Sequence, residues 1–248
     1  PTLETTRCGY ILGQLRSRET PVLLLGGSGT AKTSTAYMFF DSLDAEKNII
    51  KKMNFSFATT PGSFQGSIEA ELDKQGGKSY GPPTGKRMTI FLDDLSMPEV
   101  NTWGDQPTLE LARQLVETGG VCFLDKDKRG DVKEVRGVDY VAAMDLPGGG
   151  KNDIPNRLKR HFFMLTVVTP SPSSVAAIYG ILLQSRFDAK EFKYLGGEFP
   201  NFVQRMPSTT MALFKWLREK MLPSPTKFHY TFTLKDLSRL FQGILRTP

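Results

Sequence analysis

The stretch Val22-Leu23-Leu24-Leu25-Gly26-Gly27-Ser28-Gly29-Thr30-Ala31-Lys32-Thr33 decides the fold. Four consecutive apolar residues after Pro21 predict a strand covered on both faces. The glycine-rich turn and the Lys-Thr that follow predict a phosphate-binding loop opening a helix over about 32–43. Such a loop aims successive backbone N–H groups at phosphate oxygens, and the helix N-terminus adds positive potential. Gly27, Ser28, Gly29, Thr30, Ala31, Lys32, Thr33 and Ser34 are the candidate nucleotide-binding residues. Lys32 would reach the β- and γ-phosphates, and Thr33 would ligate Mg²⁺. Ala31 stands where the strict pattern has its second glycine, and an ordinary helical backbone is expected there.

Further along, Thr89-Ile90-Phe91-Leu92 runs into Asp93-Asp94. An apolar strand ending in carboxylates fits the metal-holding partner of a phosphate loop and is expected beside the first strand. Asp93 would hold Mg²⁺, mostly through water. Asp94 would face the attacking water, with strand alternation sending the two carboxylates opposite ways.

Other strands are expected at about 53–58, 138–144 and 162–168, with helices at about 61–74 and 107–117. Residues 75–87, rich in Gly and Pro, read as a loop. Residues 121–124 and 132–135 read as a hairpin whose charged tip is 125–131. Beyond 170 the strand signal stops, and helices are expected at 174–187, 208–221 and 233–246. The expected architecture is α/β: a five-stranded parallel sheet flanked by helices over 1–170, then a small helical subdomain over 171–248.

The chain has 248 residues, 39% hydrophobic and 23% charged, an ordinary globular composition. Two cysteines and two histidines argue against a disulfide scaffold or a Cys/His zinc site. No apolar run is long enough to span a membrane, and no signal peptide is expected. The net charge is +6, and residues 171–248, with 11 Lys+Arg against 5 Asp+Glu, carry all of the excess. Basic residues are not clustered with aromatics, and no helix-turn-helix is evident. A stand-alone ATPase acting on nucleic acid is therefore the weaker alternative. His161 is expected at a strand edge, and His229 and Tyr230 in the helical core. Met211, Phe214, Leu217 and Met221 form a core or interface stripe.

Several segments resemble one family. Asn54-Phe55-Ser56-Phe57-Ala58-Thr59-Thr60-Pro61, Phe91 to Pro98, Trp103-Gly104-Asp105-Gln106, Gly81 to Met88, Pro147 to Asp153 and Phe228 to Arg239 are similar, in this order, to segments of dynein heavy chains. The likeness is best to the third AAA+ module of axonemal, outer-arm-like types. It implies a P-loop AAA+ fold with a helical lid and ATP or ADP with Mg²⁺ as cofactor. Pro1 and Thr2 would lie near adenine, Asp145 at the first sensor position where Asn is usual, and Arg239 at the second sensor in the lid. Arg160, in preference to Arg157, would serve as the arginine finger to a neighbouring module, although spacing alone does not decide between them. Asp145 would put a negative charge near phosphate unless Mg²⁺ or a proton intervenes; the other reading makes it a turn residue before Pro147. Asp94 stands for the usual catalytic Glu, one methylene shorter, so slow or absent hydrolysis is expected. The implied partners are neighbouring modules of the same chain and, through the full motor, intermediate and light chains and microtubules; neither nucleic acid nor membrane is implied. The implied location is cytoplasmic, in the ciliary or flagellar axoneme. The opening at Pro1, inside a module-entry segment, leads us to expect a piece of a longer chain.

Overall fold

The computed structural model describes residues 2–83, 85–123, 128, 130–148, 151–187 and 198–247. Pro1 and most of the expected hairpin tip at 125–131 lie outside the described residues. The chain divides into two units. One holds Leu3–Gly27 and Ala31–Val168; the other holds the described part of Thr169–Pro248 with Thr2 and Ser28–Thr30.

The first unit is built on an all-parallel sheet. Its strands are β1 (Val22–Gly26), β2 (Asn48–Asn54), β5 (Arg87–Asp93), β8 (Val138–Asp145) and β9 (Phe163–Thr166), in the order β2-β5-β8-β1-β9. Alternation explains why the strands read as unbroken apolar runs. Leu23, Ile90, Leu92, Ala142 and Met144 face one core, with α3 (Pro61–Glu69) and α4 (Pro107–Thr118) packed over it. Val22, Leu24, Phe91, Val141 and Ala143 face a second core under α1 (Leu3–Ser17) and α2 (Lys32–Asp41). There Phe91 meets the edges of Phe40 and Tyr37, at ring separations of 5.4 and 5.8 Å.

The order corrects one expectation: β5 does not lie beside β1, because β8 runs between them. The β1–β8 pairing sets Gly26 opposite Asp145. The second strand lies at 48–54, upstream of the expected 53–58. It is the sheet's edge, so its lysines stay at the rim: Lys51 pairs with Glu71 at 2.8 Å and Lys52 lies 3.9 Å from the Tyr37 ring centre.

The expected loop at 75–87 instead contributes to a second sheet. The strands β3 (Asp73–Gly76), β4 (Ser79–Gly81), β6 (Gly120–Cys122) and β7 (Val132–Val135) run in the order β3-β4-β7-β6. Gly77 takes a left-handed φ of 55°, which lets so polar a segment reverse direction. α3 accordingly ends at Glu69 rather than 74. A short α5 (Asn156–Lys159) precedes β9.

The described residues of the second unit form α6 (Pro172–Arg186), α7 (Phe199–Lys220) and α8 (Leu234–Leu245). α7 starts nine residues before the expected 208 and runs through Pro207, which is buried. Phe214 is buried in this unit's core with Leu183, Val203, Leu237 and Phe241, and Met211 packs against them. His229 is exposed, which corrects its expected core placement, and Tyr230 is half-buried. No helix of the described residues is long and apolar enough to cross a membrane.

The first helix, α1, has no strong apolar stripe, and Leu12 is its one buried residue. Polar contacts fix it instead. Arg16 donates to Thr89 Oγ1 at 3.2 Å and Asn48 Oδ1 at 2.5 Å, and pairs with Asp139 at 3.1 Å. Arg87 grips both Asp139 oxygens at 2.6 and 2.5 Å and donates to the Arg16 carbonyl at 3.1 Å. The hydrogen bonds that Arg87 donates to Asp139 hold its guanidinium above its ordinary pKa. Removing the shared carboxylate leaves two clustered guanidiniums with lost partners. Asp139→Ala is expected to destabilise the chain by about 3 kcal/mol in urea denaturation.

Candidate nucleotide and metal site

β1 delivers the chain at Gly26, and the loop turns back into α2 at Lys32. Gly29 has φ 77°, and Ala31 has φ 67° and ψ 27°, both left-handed. The ordinary helical backbone expected at Ala31 is thus overturned. The chain must reverse sharply at the helix N-cap, the conformation for which the strict motif uses glycine. No side chain caps α2, and no acid lies in its first turn. The helix end therefore keeps its positive field for an anion.

The lysine side chain folds back over the loop. Lys32 Nζ donates to the Gly26 carbonyl at 3.1 Å, the Gly27 carbonyl at 2.8 Å and Asp145 Oδ1 at 2.5 Å. Lys32 and Asp145 are 8% exposed each, so this ion pair is shielded from water. Lys151 pairs with the other carboxylate oxygen, Oδ2. Asp145 is thus the last residue of β8 rather than a turn residue, and two ammonium groups, those of Lys32 and Lys151, stand against its carboxylate.

At the end of β5, Asp93 Oδ2 accepts from Thr33 Oγ1 at 2.8 Å. A hydroxyl and a carboxylate brought together beside a phosphate loop are hard oxygen donors, the set that suits Mg²⁺. The donor set and the uncapped helix end fit a magnesium nucleotide. Asp94 lies past the strand end with φ 53°, exposed, and its N–H donates to Asp93 Oδ1 at 3.1 Å. Strand alternation therefore does not orient it, contrary to expectation.

The remaining candidates are placed as follows. Ser28 and Ser34 are exposed, Thr30 is buried, and Thr2 precedes α1 half-buried. Arg239, on α8 in the second unit, lies 3.7 Å from Asp236 with a mostly exposed side chain. Arg160 donates to Glu117 Oε1 at 2.8 Å and to His161 Nε2 at 3.1 Å. Arg157 is exposed on α5; the Arg113 hydrogen bond chiefly lowers the Glu110 pKa, and the charge of Arg157 adds to it last. The sequence reading assigns no role to Lys151. Its only signal is a lysine six residues past Asp145, behind three glycines.

His161 sits just before β9. Desolvation, then the charges of Arg160 and Arg113, hold its pKa below the ordinary 6.5. Glu117 lies 3.8 Å away, but both arginines already share it. The folded state therefore binds the proton more weakly than the unfolded one. This contribution is full above pH 6.5 and is lost as pH falls from there through the lower folded value. The melting temperature of His161→Gln should fall less than that of the natural chain between pH 7.5 and 5.5.

Relief of the left-handed strain makes a second outcome measurable. Ala31→Gly should raise stability by about 0.5–1 kcal/mol, while β-branched Ala31→Val should lower it by more than about 1 kcal/mol. Urea titrations of the three proteins check both signs.

Comparison with known proteins places the chain in a family. A family model described as the P-loop containing dynein motor region matches residues 1–170, and one described as an AAA+ lid domain matches residues 207–247. The dynein gamma chain of the flagellar outer arm from Chlamydomonas reinhardtii is 45% identical over 245 residues. Dynein axonemal heavy chain 8 from Mus musculus is 42% identical over 246 residues, and dynein axonemal heavy chain 10 from Homo sapiens is 36% identical over 249. Each alignment covers 99% of this chain and 5% of the relative, so the chain spans about a twentieth of the length of these relatives. A phosphate loop, a carboxylate strand end, an all-parallel sheet and a matching motor-region model lead to one statement: the chain belongs to the dynein motor-region family of P-loop AAA domains.

Proposed function

We propose that this chain is a nucleotide-binding AAA+ module, the third of the ring, in an axonemal dynein heavy chain. It holds ATP or ADP with Mg²⁺, turns it over slowly or not at all, and biases the microtubule-based motor cycle through what it holds. The observation that carries this reading is the meeting of the phosphate loop with Asp93. Lys32 and Thr33 leave one turn of α2 with a cation and a hydroxyl, and Thr33 is 2.8 Å from the carboxylate. The axonemal relatives support the ciliary or flagellar setting.

The nucleotide supplies its own phosphoanhydride chemistry when bound, and Mg²⁺ neutralises its oxygens. This chain's residues bind and orient it. Gly27, Ser28, Gly29, Thr30 and Ala31 form the loop around the phosphates, with Ser34 on the following turn. Lys32 gives charge to the phosphates, and Thr33 and Asp93 hold the metal. Thr2, and by the family likeness Pro1, would lie near adenine, and Arg239 would serve as the lid's phosphate-sensing arginine. The large subdomain is 1–170 and the lid 171–248. Asp145 takes the first sensor's place, with a carboxylate where an amide is usual. For the finger to a neighbouring module we favour Arg157 over Arg160, because Glu117 and His161 already hold Arg160. Partners would be neighbouring modules and, through the full motor, intermediate and light chains and microtubules.

Weak turnover follows from reach. Asp94 is one methylene shorter than Glu and points from a left-handed backbone. A misplacement of about 1 Å can cost about 100-fold in rate. Calorimetric titration should show Mg²⁺-dependent binding of ATP and ADP, and absence of binding overturns the reading. Asp94→Glu should raise single-turnover hydrolysis by about tenfold or more in the neighbour-complete motor while changing ADP affinity little. Equal rates for the two proteins would refute the reach argument.

A further inference from the structure

The P-loop lysine is held, in this structure, by a competitor of the phosphate. Its ammonium has three protons to give and at least three acceptors around it, the Gly26 and Gly27 carbonyls and Asp145 Oδ1. To bind phosphate it must release one of them, and Asp145 is the charged one. Asp145 is 8% exposed, so losing its cation would leave a buried carboxylate uncompensated. Lys151 removes that penalty. It holds Oδ2, the oxygen Lys32 does not use.

The Lys151 backbone is fixed for this. It exchanges reciprocal hydrogen bonds with Gly148, both 3.2 Å, and Gly148 takes a φ of 124°. The other carboxylate nearby does not compete for Lys151: Asp153 accepts from Lys159 at 2.7 Å and from the Ile154 N–H at 2.8 Å. The side chain of Lys151 is 36% exposed against 11% for Asp145, so the second cation reaches the buried carboxylate from the solvent side.

We propose that Lys151 is a positioning residue for nucleotide binding: it takes over the charge of Asp145 when Lys32 leaves for the phosphates. The inference rests on the nucleotide-binding reading above. No bond is made or broken; one buried carboxylate passes from two cations to one. In this arrangement Asp145 is the latch on the lysine, and Lys151 sets how firmly the latch holds. Losing Lys151 makes Asp145 grip Lys32 harder and weakens nucleotide binding from outside the phosphate loop. Losing the Asp145 charge removes the competitor and makes Lys151 irrelevant to Lys32.

A double-mutant cycle with Mg–ADP as the probe tests this, because ADP isolates binding from turnover. Dissociation constants are measured for the natural chain, Lys151→Met, Asp145→Asn, the double variant and Lys151→Arg. Lys151→Met is expected to weaken Mg–ADP about tenfold, and Lys151→Arg to restore it. Asp145→Asn is expected to tighten Mg–ADP at least about threefold, and in that background Lys151→Met should change the constant less than about twofold. Equal losses in both backgrounds would mean that Lys151 contacts the nucleotide itself, and would overturn the proposal. So would an unchanged Lys151→Met in a natural chain that binds. A natural chain that binds no Mg–ADP fails at the earlier step and overturns the nucleotide reading along with this one. Circular dichroism melts identify any variant that does not fold. If Lys151→Met is one, Asp145→Asn decides alone: tighter binding supports the proposal, and unchanged or weaker binding overturns it.

Discussion

The pairing of β1 with β8 sets everything at the phosphate loop. Parallel register places Gly26 opposite Asp145, so the strand that launches the loop ends beside a buried carboxylate. The loop then returns its lysine to that same point, 2.5 Å from Asp145. A lysine and an aspartate 113 positions apart meet because two neighbouring strands end together. The register itself is held by side chains that fill both faces. Leu23 with Ala142 and Leu24 with Ala143 are paired across the strands, one pair to each core. Small alanines on β8 leave room for the leucines of β1, and a slip of one residue would turn every one of them to the wrong face.

The same end of the sheet serves the second half of the site from farther away. β5 is separated from β1 by β8, yet Asp93 still meets Thr33. This works because α2 starts just past the end of β1, and Thr33 is its second residue. Lys32 serves the neighbouring strand and Thr33 the strand beyond, and adjacent helix positions point in different directions. Cation, hydroxyl and both carboxylates are thus distributed over two strand ends by one turn of helix. The opposite end of the sheet carries structural rather than chemical charge. There Asp139, at the second position of β8, ties α1 to β5 through Arg16 and Arg87. β8 accordingly has a carboxylate near each end, one bound by guanidiniums and one by ammoniums. Guanidiniums give fixed two-pronged contacts suited to a joint, whereas ammoniums are point charges on flexible stems suited to exchange.

The parts legible in the sequence are those in which local pattern and tertiary environment agree. Val22–Leu25 and Thr89–Leu92 are apolar because both faces are covered, and that burial is readable from four residues. The phosphate loop is readable because glycine spacing and Lys-Thr are local chemistry. The likeness to dyneins came from short segments spread along the chain. The elements that were not legible are settled by distant partners. α1 lacks an apolar stripe, because Arg16 finds its partners on β2, β5 and β8. β2 carries Lys51 and Lys52 because an edge strand can send them to the rim. β3 is wholly exposed and polar, so its strand character comes only from pairing with β4. The helix expected from 208 begins instead at Phe199, and α7 runs through the buried Pro207. Strand order is likewise invisible locally, and placing β5 beside β1 followed sequence logic that the third strand end overrules.

Within the site, the two departures from the common pattern act on different quantities. Ala31 acts on the backbone. Its left-handed conformation is a standing cost of about 1 kcal/mol that glycine would not incur, yet the loop keeps its turn because β1, α2 and the lysine contacts determine it from both sides. Asp145 acts on charge. An amide at that position could accept from Lys32 but could not compete with a phosphate for it, whereas a carboxylate can. That competition would lower the gain from nucleotide binding unless another cation stood by, and in the proposed exchange Lys151 is that cation. The pair makes sense as a unit: the carboxylate holds Lys32 inside the fold from one oxygen and Lys151 from the other, and under the proposed exchange the second lysine would let the first go.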